Sequence, residues 1–294
     1  MPPIVRLYRK FIILTAIMLI VLGVVGYTFR STIQEAFDVP ALIQLAQLPK
    51  EETLDQIQGD ANQPAEENTN TSGTPNADEQ KQNITNSSNT NQEEVLGAET
   101  KKKPLPAEIN IKMPFTTQAP FANWSLPYGE ACEEASALMV HYFYQKKQFT
   151  KDIADKEIRK LVDFQTKKYG FYKDSTAEQT ARFIREYWGY KKVRVVAATI
   201  EGIKQELANG RPVIIPAAGR LLGNPNFRSP GPLYHMLVIK GYTKDGKFIT
   251  NDPGTRKGAN YVYDQKKLLN ALHDWNGGDV NNGKKVMIVI EPNK

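Results

Sequence analysis

Residues 126–140 read LPYGEACEEASALMV, and this stretch decides the architecture of the segment around it. A Pro-Tyr-Gly turn at 127–129 leads into a run whose apolar positions Ala131, Ala135, Leu138, Met139, Tyr142 and Phe143 fall at helical spacing. That spacing predicts a helix starting near Glu130 and running past His141. Cys132 then lies in the first turn. A thiol there feels the positive helix end, which favours the thiolate, its nucleophilic form. Backbone N–H groups of a first turn have no partner within the helix and are free to hold a developing oxyanion. The plainer alternative for a lone cysteine is a buried structural residue.

Outward from this helix, a second is expected over roughly 151–164. A third runs from a cap region at Asp174/Ser175, with Glu178 in its first turn, to Trp188, where Gly189 ends it. Val193–Val196 reads as a strand, and Thr199 to Asn209 as a short helix stopped by Gly210. Arg211–Ala217, Tyr234–Tyr242, Phe248–Asn251 and Val286–Ile290 read as strands. Helices first and then mostly antiparallel strands argue for an α+β domain over about 106–294, long enough for one substantial core. Gly219 to Pro232, with three Gly and three Pro, is a loop.

A thiol nucleophile needs a base, and the chain holds three histidines. His141 is nine residues along the same helix as Cys132, which puts it on the opposite face. His273 stands in a polar stretch, where a solvated surface role fits better. His235 opens the apolar run HMLVIKGY, and an ionisable ring buried at the mouth of a strand calls for a partner. Asp252, seventeen residues on in ITNDPG, is either that partner or a turn-capping acid. Register matters here. A turn centred on Asp245-Gly246 sets Asp252 opposite Ile239, on the correct face but four residues from His235. A turn nearer Thr243-Lys244, or a β-bulge, brings the two together.

The rest of the chain is different in kind. Mean hydropathy is −0.47 although the apolar content is ordinary, so a foldable part is diluted by a polar one. Residues 1–50 carry +3 and residues 51–100 carry −10; the whole chain carries +6, so residues 101–294 carry +13. The single cysteine excludes an internal disulfide framework and any multi-cysteine metal site. From Phe11 to Phe29 there are nineteen residues without a charge, enough to cross a hydrocarbon core of about 30 Å as a helix. Arg6, Arg9 and Lys10 precede the run and only Arg30 follows closely, which keeps residues 1–10 in the cytoplasm and exports the rest. No small-x-small site follows Gly26, which favours an uncleaved anchor over a cleaved secretory signal; both readings export the domain. Residues 30–105 form a low-complexity linker, and from about residue 50 it is so poor in apolar groups that a disordered tether is expected.

The elements that carry the chemistry resemble a known family. MPFTTQ (113–118), GEACEEAS (129–136), GRPVI (210–214), YHMLVIKGY (234–242) and NDPG (251–254) stand in the order found in bacteriocin-processing, double-glycine-type cysteine peptidases, family C thirty-nine, in their exported branch without an attached transporter. The resemblance covers about 111–253 and implies a papain-like fold, with N-terminal helices packed on a mainly antiparallel sheet. It implies Cys132 as nucleophile, His235 as general base and acid, Asp252 as the orienting acid and Gln118 as a donor to the oxyanion. Glu133 follows the cysteine where the narrower bacteriocin group usually has Gly.

These readings converge on a membrane-tethered, outward-facing thiol hydrolase that cleaves peptide or amide bonds through an acyl-enzyme and uses no metal or organic cofactor. Its expected substrate is a protein or the peptide part of a cell wall. The loop 219–232, leading straight into His235, is expected to line or cover the cleft. The alternative is a non-catalytic module of the same shape, held by its +13 charge to anionic surface polymers or lipid head groups. Scattered basic residues and export argue against nucleic acid.

Overall fold

The computed structural model describes residues 39–62 and 104–293. The expected membrane helix (11–29) lies outside the described residues, as does most of the linker. Among the described residues no helix is long and apolar enough to cross a membrane. The chain divides into two units, Met1–Lys50 and Glu51–Lys294. In the first, the described residues form one helix, α1 (Val39–Ala46).

The second unit is built on a seven-stranded, wholly antiparallel sheet. Its strands are β1 (Ile109–Asn110), β2 (Lys192–Ala197), β3 (Val213–Ala218), β4 (Tyr234–Tyr242), β5 (Lys247–Asn251), β6 (Tyr261–Asp264) and β7 (Val286–Glu291). They run β2-β7-β3-β4-β5-β6, with β1 paired to the far end of β4. Every residue of β3 and β4 is buried, as the unbroken apolar runs there require. The observed fold is the mixed helix and antiparallel-sheet arrangement expected from the order of elements.

The helices of this unit are α2 (Leu54–Asn62), α3 (Cys132–Tyr144), α4 (Lys151–Tyr169), α5 (Ala177–Trp188), α6 (Ile200–Ala208), α7 (Gly219–Leu222) and α8 (Gln265–Ala271). α3 packs on β4, α5 on β2, and α6 on β3 and β4. All residues of α3 from Cys132 to Val140 are buried, so this helix runs through the core rather than over it. Thr150 caps α4, Thr176 and Gln179 form a reciprocal capping box on α5, and Thr199 caps α6. Gly170 and Gly189 end α4 and α5 in the left-handed conformation. α4 therefore continues five residues beyond the expected Phe164.

Two findings differ from the sequence reading. β6, α8, β1 and the one-turn α7 are additional elements. The stretch from Glu51 to Asn62, expected to be tether, is instead part of the folded unit. Glu52 makes a parallel bridge to Ile111, Ile57 is buried, and Leu54 packs where a side chain at Gly210 would collide with it, 2.5 Å away.

The register of β4 against β5 settles where Asp252 goes. Beyond the Thr243–Lys247 turn, Tyr242 pairs with Phe248 and Gly241 with Ile249. Continued unbroken, that register would set Asp252 opposite Val238, whose side chain faces away from that of His235. A bulge at Lys240 shifts it, so Ile239 pairs with Thr250 and Val238 with Asn251. Asp252 then follows opposite Leu237, on the face of His235 and one diagonal step away. The bulged residue is itself anchored. Lys240 is 1% exposed, and its ammonium donates to Glu51 Oε1 (2.7 Å), Asn110 Oδ1 (2.7 Å) and Asn260 Oδ1 (2.6 Å). Burial presses the pKa of this amine down, and the Glu51 carboxylate opposes that shift.

Removing the ammonium strands three acceptors around an apolar chain. Lys240→Met is expected to lower unfolding stability by about 3 kcal/mol in urea titration. An unchanged midpoint would mean that the cage contributes nothing.

Candidate active site

The strand β4 delivers His235 and the turn after β5 delivers Asp252. Their side chains meet with His235 Nε2 2.8 Å from Asp252 Oδ1, both groups buried. Asp252 receives three further donors. The Gly254 N–H bonds Oδ1 (2.9 Å), while Tyr263 Oη (2.7 Å) and Asn224 Nδ2 (3.3 Å) bond Oδ2. Burial works to raise the pKa of this carboxyl. The charge and hydrogen bond of His235, with those of Tyr263 and Gly254, outweigh it and hold the group below its ordinary value. An ionised carboxylate only accepts, so Nε2 carries the hydrogen and Nδ1 is the ring nitrogen left for chemistry. Close backbone approach shapes the surroundings: a Cβ on Gly254 would lie 3.0 Å from Nε2. Phe227 meets the ring edge-on, with centroids 5.3 Å apart.

Cys132 opens α3, at a site where Ala131 and the short 3₁₀ turn Tyr128–Glu130 lead the chain into the helix. Cys132 is 6% exposed, and the hydrogen bond of its sulfur goes to Glu133 Oε2 at 3.0 Å rather than to His235. The sulfur lies against β4, close enough for the backbone N–H of Met236, the residue after His235, to act on it. The expectation that the helix end favours the thiolate is overturned here. Burial first, then the charge and hydrogen bond of Glu133 and the charge of Glu134, raise the thiol pKa well above its ordinary value; the Met236 N–H only partly offsets them.

Those two carboxyls are themselves buried. Glu133 is pushed up to about 8, chiefly by burial, with Asp174 adding to the rise. Hydrogen bonds from Cys132, its own N–H and the Ser175 N–H (2.9 Å to Oε1) pull the other way. Glu134 is raised too, by burial and by Glu133. Its Oε1 accepts from Gln165 Nε2 (2.5 Å), and its Oε2 has no partner. Adjacent carboxyls in so dry a place do not both ionise at neutral pH.

Gln118 sits beside the entry turn, but its amide is turned to a different task. Nε2 donates to Tyr128 O (2.9 Å) and Gly129 O (3.2 Å), and Oε1 is buried without a partner. In this arrangement no amide hydrogen is left for an oxyanion, and the side chain braces the turn that leads to Cys132. Its backbone N–H bonds Pro253 O (3.0 Å), while Asn251 Nδ2 bonds Pro114 O (3.1 Å). The MPFTTQ and NDPG motifs are thereby sewn together.

The remaining histidines are accounted for elsewhere. His141 stacks on Trp188 at 4.3 Å and bonds Tyr190 Oη, and burial lowers its pKa to about 4. His273 Nδ1 bonds Gly283 O. The loop 219–232 stands over His235 through Phe227 and over Asp252 through Asn224, and borders an open-sided cavity of about 250 Å³ lined by Arg220, Pro225 and Pro230 among others. Among the described residues no group of three or more His, Cys, Asp or Glu is arranged to hold a metal. Tyr263, Asn224 and Ser175 are site residues that no local pattern in the sequence singles out. Tyr263 lies in an alternating YVYD run short enough to pass unnoticed.

A crystal structure from Bacillus anthracis that carries a C39-like peptidase designation is 15% identical, with 61% of this chain and 94% of that chain covered and a TM-score of 0.39, a likeness too loose to bear on the site. No curated protein matches. Residues 110–277 match the model of the Peptidase_C39 like family, a span of more than half the chain that takes in Gln118, Cys132, His235 and Asp252. The chain belongs to the Peptidase_C39 like family, and its folded unit is a peptidase domain of that kind.

Proposed function

We propose that the domain hydrolyses peptide or amide bonds with Cys132 as nucleophile, His235 as base and then acid, and Asp252 as the group that orients the ring. One observation carries this reading: a buried imidazole–carboxylate pair at 2.8 Å, its carboxylate holding four donors, on the strand whose next N–H, that of Met236, acts on the only thiol of the chain. Burying such a pair is unfavourable for folding alone, and the arrangement leaves Nδ1 as the ring atom to receive the thiol proton. In the reaction, the thiol proton passes to Nδ1 and the thiolate attacks the carbonyl carbon. Collapse of the tetrahedral adduct, with the proton delivered to the leaving amine, gives a thioester that water then hydrolyses. The backbone N–H of Cys132, the first of α3, receives the oxyanion, those of Glu133 and Glu134 being engaged by their own carboxyls.

Cys132 and His235 are both nearly closed to solvent, so substrate entry involves displacement of the Phe227 segment from the ring. The uncharged run from Phe11 to Phe29, with its basic N-terminal flank, supports a single-pass tether that holds the domain outside the membrane. There the peptide portion of a wall polymer or an exported protein is the substrate within reach, and the basic charge of residues 101–294 draws the domain to anionic surfaces.

Cys132→Ala is expected to abolish both labelling by an electrophilic thiol probe and hydrolysis of a mixed fluorogenic peptide library; undiminished turnover refutes the assignment. Asp252→Asn should lower kcat by about 100-fold with KM little changed, because the ring loses its fixed tautomer. Tyr263→Phe takes one stabilising donor from the Asp252 carboxylate, so that group protonates at higher pH. The acid limb of the kcat profile should then move up by about half a pH unit, and a limb that stays in place removes Tyr263 from the mechanism.

A further inference from the structure

Glu133 takes no part in the reaction just described, yet its carboxyl is the group that touches the sulfur. It is 1% exposed and fixed at both oxygens, with Oε2 at 3.0 Å from Cys132 Sγ and Oε1 at 2.9 Å from the Ser175 N–H. Ser175 is in turn held from β4, because its carbonyl accepts from Tyr234 Oη at 3.0 Å. The carboxyl is therefore clamped between the start of α3, the cap segment of α5 and the strand that carries His235. Resting on the reading of Cys132 as nucleophile, we propose that Glu133 is a positioning residue for the sulfur, which holds the thiol while ionised and, when it carries a proton, donates it as a hydrogen bond to the thiolate.

The two protonation states act in opposite directions. An ionised Glu133 accepts the S–H hydrogen and repels a thiolate, which keeps the proton on sulfur. A neutral Glu133 presents O–H to the sulfur and stabilises the thiolate once His235 Nδ1 has taken the thiol proton; Glu133 keeps its own proton throughout, so one proton moves and none is lost. The titratable groups facing the carboxyl are Cys132 and Glu134 on its own helix, Asp174 before α5 with Lys173 beside it, and Tyr234 on β4. Acidic neighbours predominate in that shell, and burial is the largest cause that keeps the proton on Glu133 up to a pH of about 8. Thiolate support is thus present below that pH and withdrawn as the pH rises through it.

The chain has one cysteine, so alkylation by iodoacetamide, followed by mass spectrometry on the full chain, reports Cys132 alone. In the unmodified protein the alkylation rate should climb about tenfold per pH unit below pH 8 and then level off, because above that pH each further proton is lost from Glu133 rather than from the sulfur. In Glu133→Gln, whose amide still donates but does not ionise, that levelling should disappear and the rate should keep climbing to pH 10. In Glu133→Ala the rate at pH 7 should drop about tenfold, with hydrolysis falling in parallel. A wild-type rate that rises steadily from pH 6 to pH 10 overturns the proposal, whatever the variants do. So does a Glu133→Gln profile identical to wild type. Loss of hydrolysis in Cys132→Ala alongside either result leaves the nucleophile standing and removes only the role of Glu133.

Discussion

A strand has two faces, and one extra residue decides which of them a side chain occupies. In this domain the extra residue is Lys240. Without it the β4–β5 register would point Asp252 away from His235, and no adjustment of rotamers would bring the carboxylate to the ring. The constraint works because the bulge is pinned by a buried ammonium with three oxygen partners drawn from residue 51, β1 and the turn before β6. Conformational precision at His235 is therefore secured at a distance, by a charge that the reaction never uses.

The same logic of buried charge governs the thiol, with the opposite sign. Three acidic groups surround the start of α3, in Glu133, Glu134 and, before α5, Asp174. A helix N-terminus attracts anions, and the backbone N–H groups of both glutamates do act on their own carboxyls. Having drawn carboxylates into a dry region, the helix end no longer has its field available for sulfur. The resting thiol is neutral, and the acidic residues beside it set how readily it ionises.

Long, continuous signals are legible in the order of amino acids alone. β4 coincides with the predicted Tyr234–Tyr242 run because an unbroken apolar stretch ends there in a turn, and α3, α5 and α6 end where glycine or aromatic spacing implies. Elements of two to four residues are not legible, since β1 and β6 are shorter than any period needs to declare itself. The site divides along the same line. Cys132, His235 and Asp252 sit in local contexts that mark them, and the register follows one of the two routes that the residues between His235 and Asp252 leave open. Asn224 and Tyr263 bond Asp252 from 28 and 11 residues away, and a hydrogen bond across a fold leaves no trace in composition. Gln118 stands in the expected place, but its amide faces carbonyls that only the folded turn brings near.

The cage around Lys240 also determines where the folded unit can be cut. Glu51 supplies one wall of it, and Ile57 fills part of the core, so the strap from Glu51 to Asn62 is fastened to the body by contacts rather than by sequence proximity. A recombinant domain begun at Pro106 would uncover an apolar imprint and leave the ammonium one carboxylate short. Severing the intervening polypeptide would free the ends without freeing the strap. For biochemistry on the isolated folded unit, the natural starting residue is Glu51.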